Sequence, residues 1–283
     1  MRKRTSLIEQ LFFWGGLLGL SVYVLLPIGN MILASIKPLE EIQVTGANFL
    51  PSRYDLGTYV RMWKTVPLLG YIKNSFIIIG IATMLSVLIS IFAGYVLQRF
   101  VFPGKKSFGN YLITAQMLPN FLLLLPIYLL FVAVRKYLGF PLVGTYQGVI
   151  LTYMTFALPF SIWMMRGFFE TIPRELEEAA YIDGCGVVRA LFTIIVPVSV
   201  PGIISVALYS FLLGWEEVLF ASVLTNKATR TVAVGLRNYS STTSTYWNEM
   251  MAAAVAVTVP IVIMFLVLQR YFIKGLTAGS VKG

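Results

Sequence analysis

The chain has 283 residues, of which 58% are hydrophobic and only 12% charged, and its mean hydropathy is +0.80. Soluble domains carry about a quarter charged residues, so an ordinary soluble fold is excluded in favour of a polytopic membrane protein. A single cysteine, Cys185, excludes an internal disulfide or a cysteine metal cluster, and without histidine there is no His-based zinc site or Ser-His-Asp triad. The net charge of +10 comes from cations scattered over short segments between apolar runs. That pattern fits lipid headgroups and membrane orientation rather than nucleic acid.

Six apolar runs are long enough to cross a bilayer as helices, which predicts an all-α fold in a single domain, 1–283. They cover 11–33, 76–97, 111–134, 147–165, 202–223 and 250–268. The first exceeds a signal-peptide core and lacks a small-residue cleavage pattern, so it is expected to remain as a span. The cluster Arg2-Lys3-Arg4 before it is the strongest orientation cue and places both termini in the cytoplasm. Pro27, Pro159 and Pro260 predict ordinary curvature, whereas Pro119 and Pro126 together predict a jointed third helix lining a gated path. Gly15, Gly19, Gly80, Ala82, Ala252, Ala253 and Ala256 allow neighbouring helices to approach closely.

Between the fourth and fifth runs lies a charged, amphipathic segment, 166–196. Pro173 suits a first helical turn, and Glu175 and Glu177 favour the positive end of the helix dipole. Leu176, Ala179 and Ala180 are expected to form one compact apolar side, with Glu175 and Glu178 on another. Asp183-Gly184 signals a tight turn, and Val187, Val188, Leu191 and Ile195 begin a second short helix before Pro197. An amphipathic helix lying on headgroups is the alternative, but the acids make poor companions for anionic lipid. A docked protein fits better, with Ala179 and Ala180 permitting close approach and Glu178 offering a charge-assisted hydrogen bond. The segment 225–249 reads as a polar outer loop rich in hydroxyls, including Tyr239 to Tyr246.

Glu178-Ala179-Ala180, three residues, Gly184, nine residues, Ile194, one residue and Val196-Pro197 resemble a known signature loop. It is that of the permease subunits of binding-protein-dependent ATP-binding-cassette importers, which prefer leucine where Val196 stands. Phe102-Pro103-Gly104-Lys105, Phe156-Ala157-Leu158-Pro159, Gly214-Trp215-Glu216-Glu217 and the ending 275–283 resemble the carbohydrate branch, in particular its maltose-type, six-span permease subunit.

The resemblance implies the type I ABC importer permease fold in the cell membrane and a carbohydrate substrate, an oligosaccharide or glycoside. It implies a second permease subunit, two ATPase subunits and an extracytoplasmic solute-binding protein as partners. Glu178, Ala179, Ala180, Asp183 and Gly184 would then form the helix that couples to the ATPase. Thr277, Ser280, Lys282 and Gly283, in the cytoplasmic tail 275–283, would enter the interface between the ATPases. The loop 225–249 would reach toward the binding protein. No GxxxxGK[ST] phosphate loop is present, so ATP and magnesium are expected on the partner, and the chain itself is expected to be no enzyme and to hold no cofactor or metal.

Glu216 and Glu217 fall within the fifth run, where intramembrane acids suggest path or substrate contact, and Tyr153 and Trp215 could stack on a sugar face. Adjacent acids point about 100° apart on a helix, so both cannot serve one path equally. Pairing within the bundle and plain packing stay open for all four. A sugar phosphate or glycerol phosphodiester is the alternative substrate. A proton-coupled secondary transporter is the alternative class, although no clear internal repeat or carboxylate relay supports it.

Overall fold

The computed structural model describes residues 7–44, 49–241 and 244–278. Its secondary structure is helical throughout apart from one isolated bridge, Ser240 to Thr245. The helix α1 (Leu7–Ser35) is apolar nearly from end to end and stops just before Lys37-Pro38, where proline forces extended backbone on its neighbour. Two short helices follow, α2 (Leu39–Gln43) and α3 (Thr58–Thr65), and then the long α4 (Leu68–Arg99).

The third expected span, 111–134, is broken. The helix α5 (Lys105–Met117) ends at Leu118, held extended (ψ 130°) by Pro119, and a 3-10 turn (Asn120–Leu123) leads into α6 (Leu124–Leu138). Pro126 falls in the first turn of α6, where its missing N–H removes no intrahelical bond. Gly139, at φ +71°, stops α6.

The helix α7 (Tyr146–Glu170) is followed by α8 (Glu175–Ile182) and α9 (Val187–Ala190). A π turn (Leu191–Ile195) joins α9 to α10 (Val196–Val198), and after a bend at Ser199 the chain enters α11 (Val200–Glu216). The fifth expected span, 202–223, therefore ends early: the backbone extends at Glu217 before α12 (Leu219–Leu224) begins. The chain closes with α13 (Val232–Gly235), a 3-10 turn (Leu236–Tyr239) and α14 (Trp247–Ala278), so the first four residues of the expected tail 275–283 are helical.

Among the described residues, five helical stretches are long and apolar enough to span a bilayer: Ile8–Ser35, Leu68–Arg99, Asn120–Leu138, Tyr146–Glu170 and Trp247–Tyr271. The pair Val187–Val198 and Val200–Glu216, bent by 78°, makes six when taken as one span.

The chain groups into two compact units. The first comprises Met1–Leu68 and Gly235–Val259. None of the most apolar window of α1 is buried, and Phe12, Trp14 and Tyr23 stand exposed, a surface suited to lipid or to another membrane helix. Polar contacts tie the rest together. Arg61 Nη2 bonds Asp55 Oδ2 at 2.6 Å and its Nε lies 3.5 Å from Glu249 Oε1, while Thr65 donates to the same buried Glu249. Tyr239 is fully buried and donates to the Met62 carbonyl at 2.5 Å, so the first tyrosine of the expected hydroxyl-rich loop is a core residue.

The hydrogen bond from Arg61 holds the Asp55 carboxyl below its usual range. A lowered folded-state value means that the contribution is complete above the ordinary carboxylate range and is lost as pH falls through the lowered value. Acidification should therefore raise proteolytic cleavage of 49–65, and Asp55→Asn should remove that pH dependence. An unchanged profile in the variant would place the titrating group elsewhere.

The second unit comprises Leu69–Val234 and Pro260–Gly283. Its centre is α7: 67% of the most apolar window of this helix is buried. One cluster joins Ile78, Ile79, Val149, Tyr153, Phe156, Phe220 and Leu224, and another joins Ile91, Tyr95, Met165, Phe169, Leu191 and Ile195. At Gly94 the helices α4 and α7 touch backbone to backbone. A Cβ there would lie 2.9 Å from Met165 Cβ and 3.0 Å from the Arg166 nitrogen. Ser161 and Ser210 share a buried hydrogen bond of 3.1 Å between α7 and α11.

Candidate functional site

The segment leaving α7 folds as two short helices, α8 and α9, joined by a tight bend, as the sequence suggests. The first turn of α8 carries Glu175, Glu177 and Glu178, which favour the positive end of its dipole. The helix stops in a Schellman arrangement: Gly184 N–H donates to the Tyr181 carbonyl (3.0 Å) and Cys185 N–H to the Ala180 carbonyl (2.9 Å). Gly184 holds φ +81°, and a Cβ there would meet nothing within 4 Å, so the backbone angle alone calls for glycine. Asp183 is exposed beside it.

The two faces of α8 differ from the sequence expectation. Glu177 and Ala180 point inward, while Glu175, Leu176, Glu178, Ala179 and Ile182 are exposed. The two alanines of the motif thus lie on opposite sides, because residues one apart diverge by about 100°. Ala180 packs inward and Ala179 faces out between the exposed carboxylates and Ile182, which is 86% exposed.

Glu177, which the sequence marked only as a first-turn acid, is the anchor. Its Oε1 accepts from Arg99 Nε at 2.5 Å and its Oε2 from Tyr95 Oη at 2.7 Å, both from the last turns of α4. Arg99 Nη2 also donates to the Ile172 carbonyl at 3.0 Å, and the Tyr181 hydroxyl lies 3.4 Å from that of Tyr95. The side chains of Arg99 and Glu177 are 7% and 5% exposed. A charge pair so buried persists only when hydrogen bonds satisfy it on several sides, as here. The signal was legible in part. Glu177 shares a helix face with Ala180 and Tyr181, at i+3 and i+4, but nothing local pointed to Arg99, 78 residues away.

The expected path residues divide. Tyr153 is 2% exposed, with its hydroxyl 3.5 Å from the Glu217 carbonyl, so its ring offers no open face for stacking. Trp215 stacks on Phe211 at 5.8 Å and meets Phe76 edge-on at 5.3 Å. Glu217 accepts from the amides of Phe220 (2.8 Å) and Ala221 (2.9 Å), which makes it the cap of α12. Glu216 ends α11 with its side chain exposed. The two adjacent acids do point apart, one into a cap and one outward.

Removing the cap with Glu217→Ala should destabilise α12 by about 1 kcal/mol. Faster hydrogen exchange at the Phe220 and Ala221 amides would show it, and unchanged exchange would mean that the carboxylate is dispensable there.

The loop after α12 is pinned: Asn74 Nδ2 donates to the carbonyls of Ala228 (2.8 Å) and Arg230 (3.0 Å), and Val232 N–H to Ser75 Oγ (2.8 Å). Of the expected tail residues, Thr277 lies in α14, while Ser280, Lys282 and Gly283 lie outside the described residues. Among the described residues no cluster of acids and cysteine has the makings of a metal site.

Residues 86–278 match the family model described as binding-protein-dependent transport system inner membrane component. The chain is 34% identical to the trehalose/maltose transport system permease protein MalG of Thermococcus litoralis and 33% identical to the inner membrane ABC transporter permease protein YcjP of Escherichia coli. Each alignment covers 99% of both chains. Among solved structures, a chain of a bacterial ABC transporter involved in the import of the acidic polysaccharide alginate superposes with a TM-score of 0.76. That match covers 95% of this chain and 99% of the other at 21% identity, a likeness of fold alone.

Proposed function

We propose that this chain, which belongs to the family of binding-protein-dependent transport system inner membrane components, forms half of the path of an ATP-driven carbohydrate importer. Its helices adopt the type I ABC importer permease fold in a multi-pass inner-membrane protein. Membership places it with an ATPase, a solute-binding protein and another permease. The proposal is finer. Two ATPases dock beneath the permease pair and bind ATP and magnesium, both termini lie in the cytoplasm, and the solute is an oligosaccharide or glycoside. The chain moves that solute without chemistry of its own.

The observation that carries the reading is α8, a short exposed helix on a buried ionic footing. Its outward face, Glu178, Ala179 and Ile182, is free to enter a partner's groove, while Glu177 ties the helix to α4. Asp183 and Gly184 end it in a turn that sets the course of α9. In the same scheme Glu216 is the acid placed to meet solute, Trp215 supports it, Tyr153 and Glu217 hold the wall behind, and Thr277 to Gly283 reach between the ATPases. Substrates named for the maltose- and trehalose-related relatives support the carbohydrate class.

Purification of the tagged chain from its native membrane should recover an ATPase, and vesicles containing the complex should take up labelled glycoside only with ATP and the binding protein. Uptake driven by a proton gradient without ATP would overturn the proposal.

Gly184→Val forces a left-handed angle on a branched residue, at about 1–2 kcal/mol. Coupled hydrolysis should fall more than membrane abundance, and Gly184→Asn should retain more of it, since asparagine tolerates that angle. Equal hydrolysis at equal abundance in the valine variant would remove the bend from the coupling scheme.

A further inference from the structure

The connection from α4 to α5 forms two neighbouring cavities that the transport scheme does not use. The first, about 500 Å³, lies between the start of α5 and the C-terminal part of α7. Its lining carries Lys105, Lys106 and Arg166, with Ser107 and Asn110, and no carboxylate. Arg166 reaches α5 because position 109 is glycine: a Cβ there would lie 3.4 Å from Arg166 Nη1. Lys105 donates to the Phe100 carbonyl at 2.9 Å, whereas Lys106 and Arg166 have no acid partner among the described residues. The first turn of α5 has no side-chain cap, although Lys105 N–H donates to the Phe102 carbonyl at 3.3 Å, and the positive end of the helix dipole adds to the field.

The second cavity, about 420 Å³, is lined wholly by apolar side chains: Phe92, Ala93, Val96 and Leu97 of α4, with Phe102 and Phe108. Phe102 lines both cavities, so the cationic cavity and the apolar groove adjoin across its ring. The groove follows the spanning helix α4, and the cationic cavity sits just past its end, on the side that carries α8.

We propose that the two cavities together bind one anionic phospholipid, its phosphate among Lys105, Lys106 and Arg166 and an acyl chain along the α4 groove. A soluble anion would leave the groove empty, and a neutral lipid would leave two cations unmatched. An acidic protein segment would suit the cations but not an apolar slot within the hydrocarbon layer. The proposal goes beyond the transport reading and depends on it only in that α4 spans a bilayer.

The test uses the whole importer complex in phosphatidylcholine vesicles doped with photoactivatable phosphatidylglycerol, with the labelled peptides mapped by mass spectrometry. Labelling should concentrate on residues 92–113 and on the peptide holding Arg166, and should exceed that from photoactivatable phosphatidylcholine. Neutralising the cations (K105Q/K106Q/R166Q) should weaken it by about fivefold per charge, the pull of one surface cation on anionic lipid. Filling the groove with Val96→Trp should weaken it without altering charge, and this variant keeps the test open should the triple one fail to assemble. Excess unlabelled phosphatidylglycerol should compete, whereas glycerol phosphate and inorganic phosphate should not. Equal labelling by both lipids, full labelling of either variant in the assembled complex, or competition by inorganic phosphate alone would overturn the proposal, as would crosslinking of the site to a partner subunit in place of lipid.

Discussion

Glu177→Ala is expected to abolish substrate-stimulated ATP hydrolysis while leaving the spans inserted. The substitution strands the Arg99 guanidinium, 7% exposed, with its carboxylate partner gone, and leaves the Tyr95 hydroxyl only the long contact to Tyr181. Breaking a buried pair from one side costs about 3–5 kcal/mol, enough to release a short helix from its footing but small beside the burial of the spans. Arg99→Ala should act alike, and because the two residues form one network their effects should fall well short of additive. Replacing both by apolar residues of similar size (Arg99→Met with Glu177→Leu) should recover part of the stability. The comparison needs hydrolysis and uptake by the reconstituted complex, with melting of the complex recorded alongside. Wild-type stimulation in Glu177→Ala would show that α8 does not depend on this anchor.

Ala179→Trp is the second large effect, and it works from the opposite face. Ala179 is exposed between Glu175, Glu178 and Ile182, so a large ring there is accommodated by the isolated chain. In a docked complex the same ring occupies space meant for the partner. Loss of a contact at the centre of an interface costs on the order of 2 kcal/mol or more, about thirtyfold in affinity. Recovery of the ATPase with the permease should fall accordingly, while permease abundance stays level. Ala180→Trp should instead lower abundance, because Ala180 is buried at 3% exposure and an added ring would overpack the footing of the helix. Matching behaviour of the two variants would contradict the division of the helix into an inner and an outer face.

Much of this was readable from the chain alone because bilayer crossing depends on a sum. An apolar run of sufficient length spans whatever its detailed packing, so the six runs emerged from hydropathy. The stop at Gly184 was readable because only a left-handed angle closes that turn, and glycine announces it. The breaks were harder. Pro119 and Pro126 predicted a joint, but the extended residue is Leu118, and a windowed average passes over it. The end of α11 at Glu216 was hidden for a related reason: Glu217 reads as a charge in a span, and its use as a cap appears only once the backbone has turned. The outward face of α8 was misread since an isolated helix of eight residues contains no statement of which side the bundle covers. Arg99 settles that, and its meeting with Glu177 is a property of how α4 and α8 pack.

The contact at Gly94 has a mechanical corollary. With α4 and α7 locked backbone to backbone there, and α8 tied to α4 by Arg99 and to α7 by the chain itself, the three elements form a braced strut. At about 1.5 Å per residue, the 32 residues of α4 make this strut close to 48 Å long, with α8 fastened at one end. If α8 receives the push of a docked ATPase, as the proposed function has it, these contacts would pass the push to α4 and tilt the strut as a unit. The crossing at Gly94 lies near the Arg99 end, so under that proposal a small stroke there would be magnified at the opposite end of α4. A bulky residue at position 94 would push α4 away from Met165 and Arg166 of α7, and under the same proposal would uncouple ATP hydrolysis from transport.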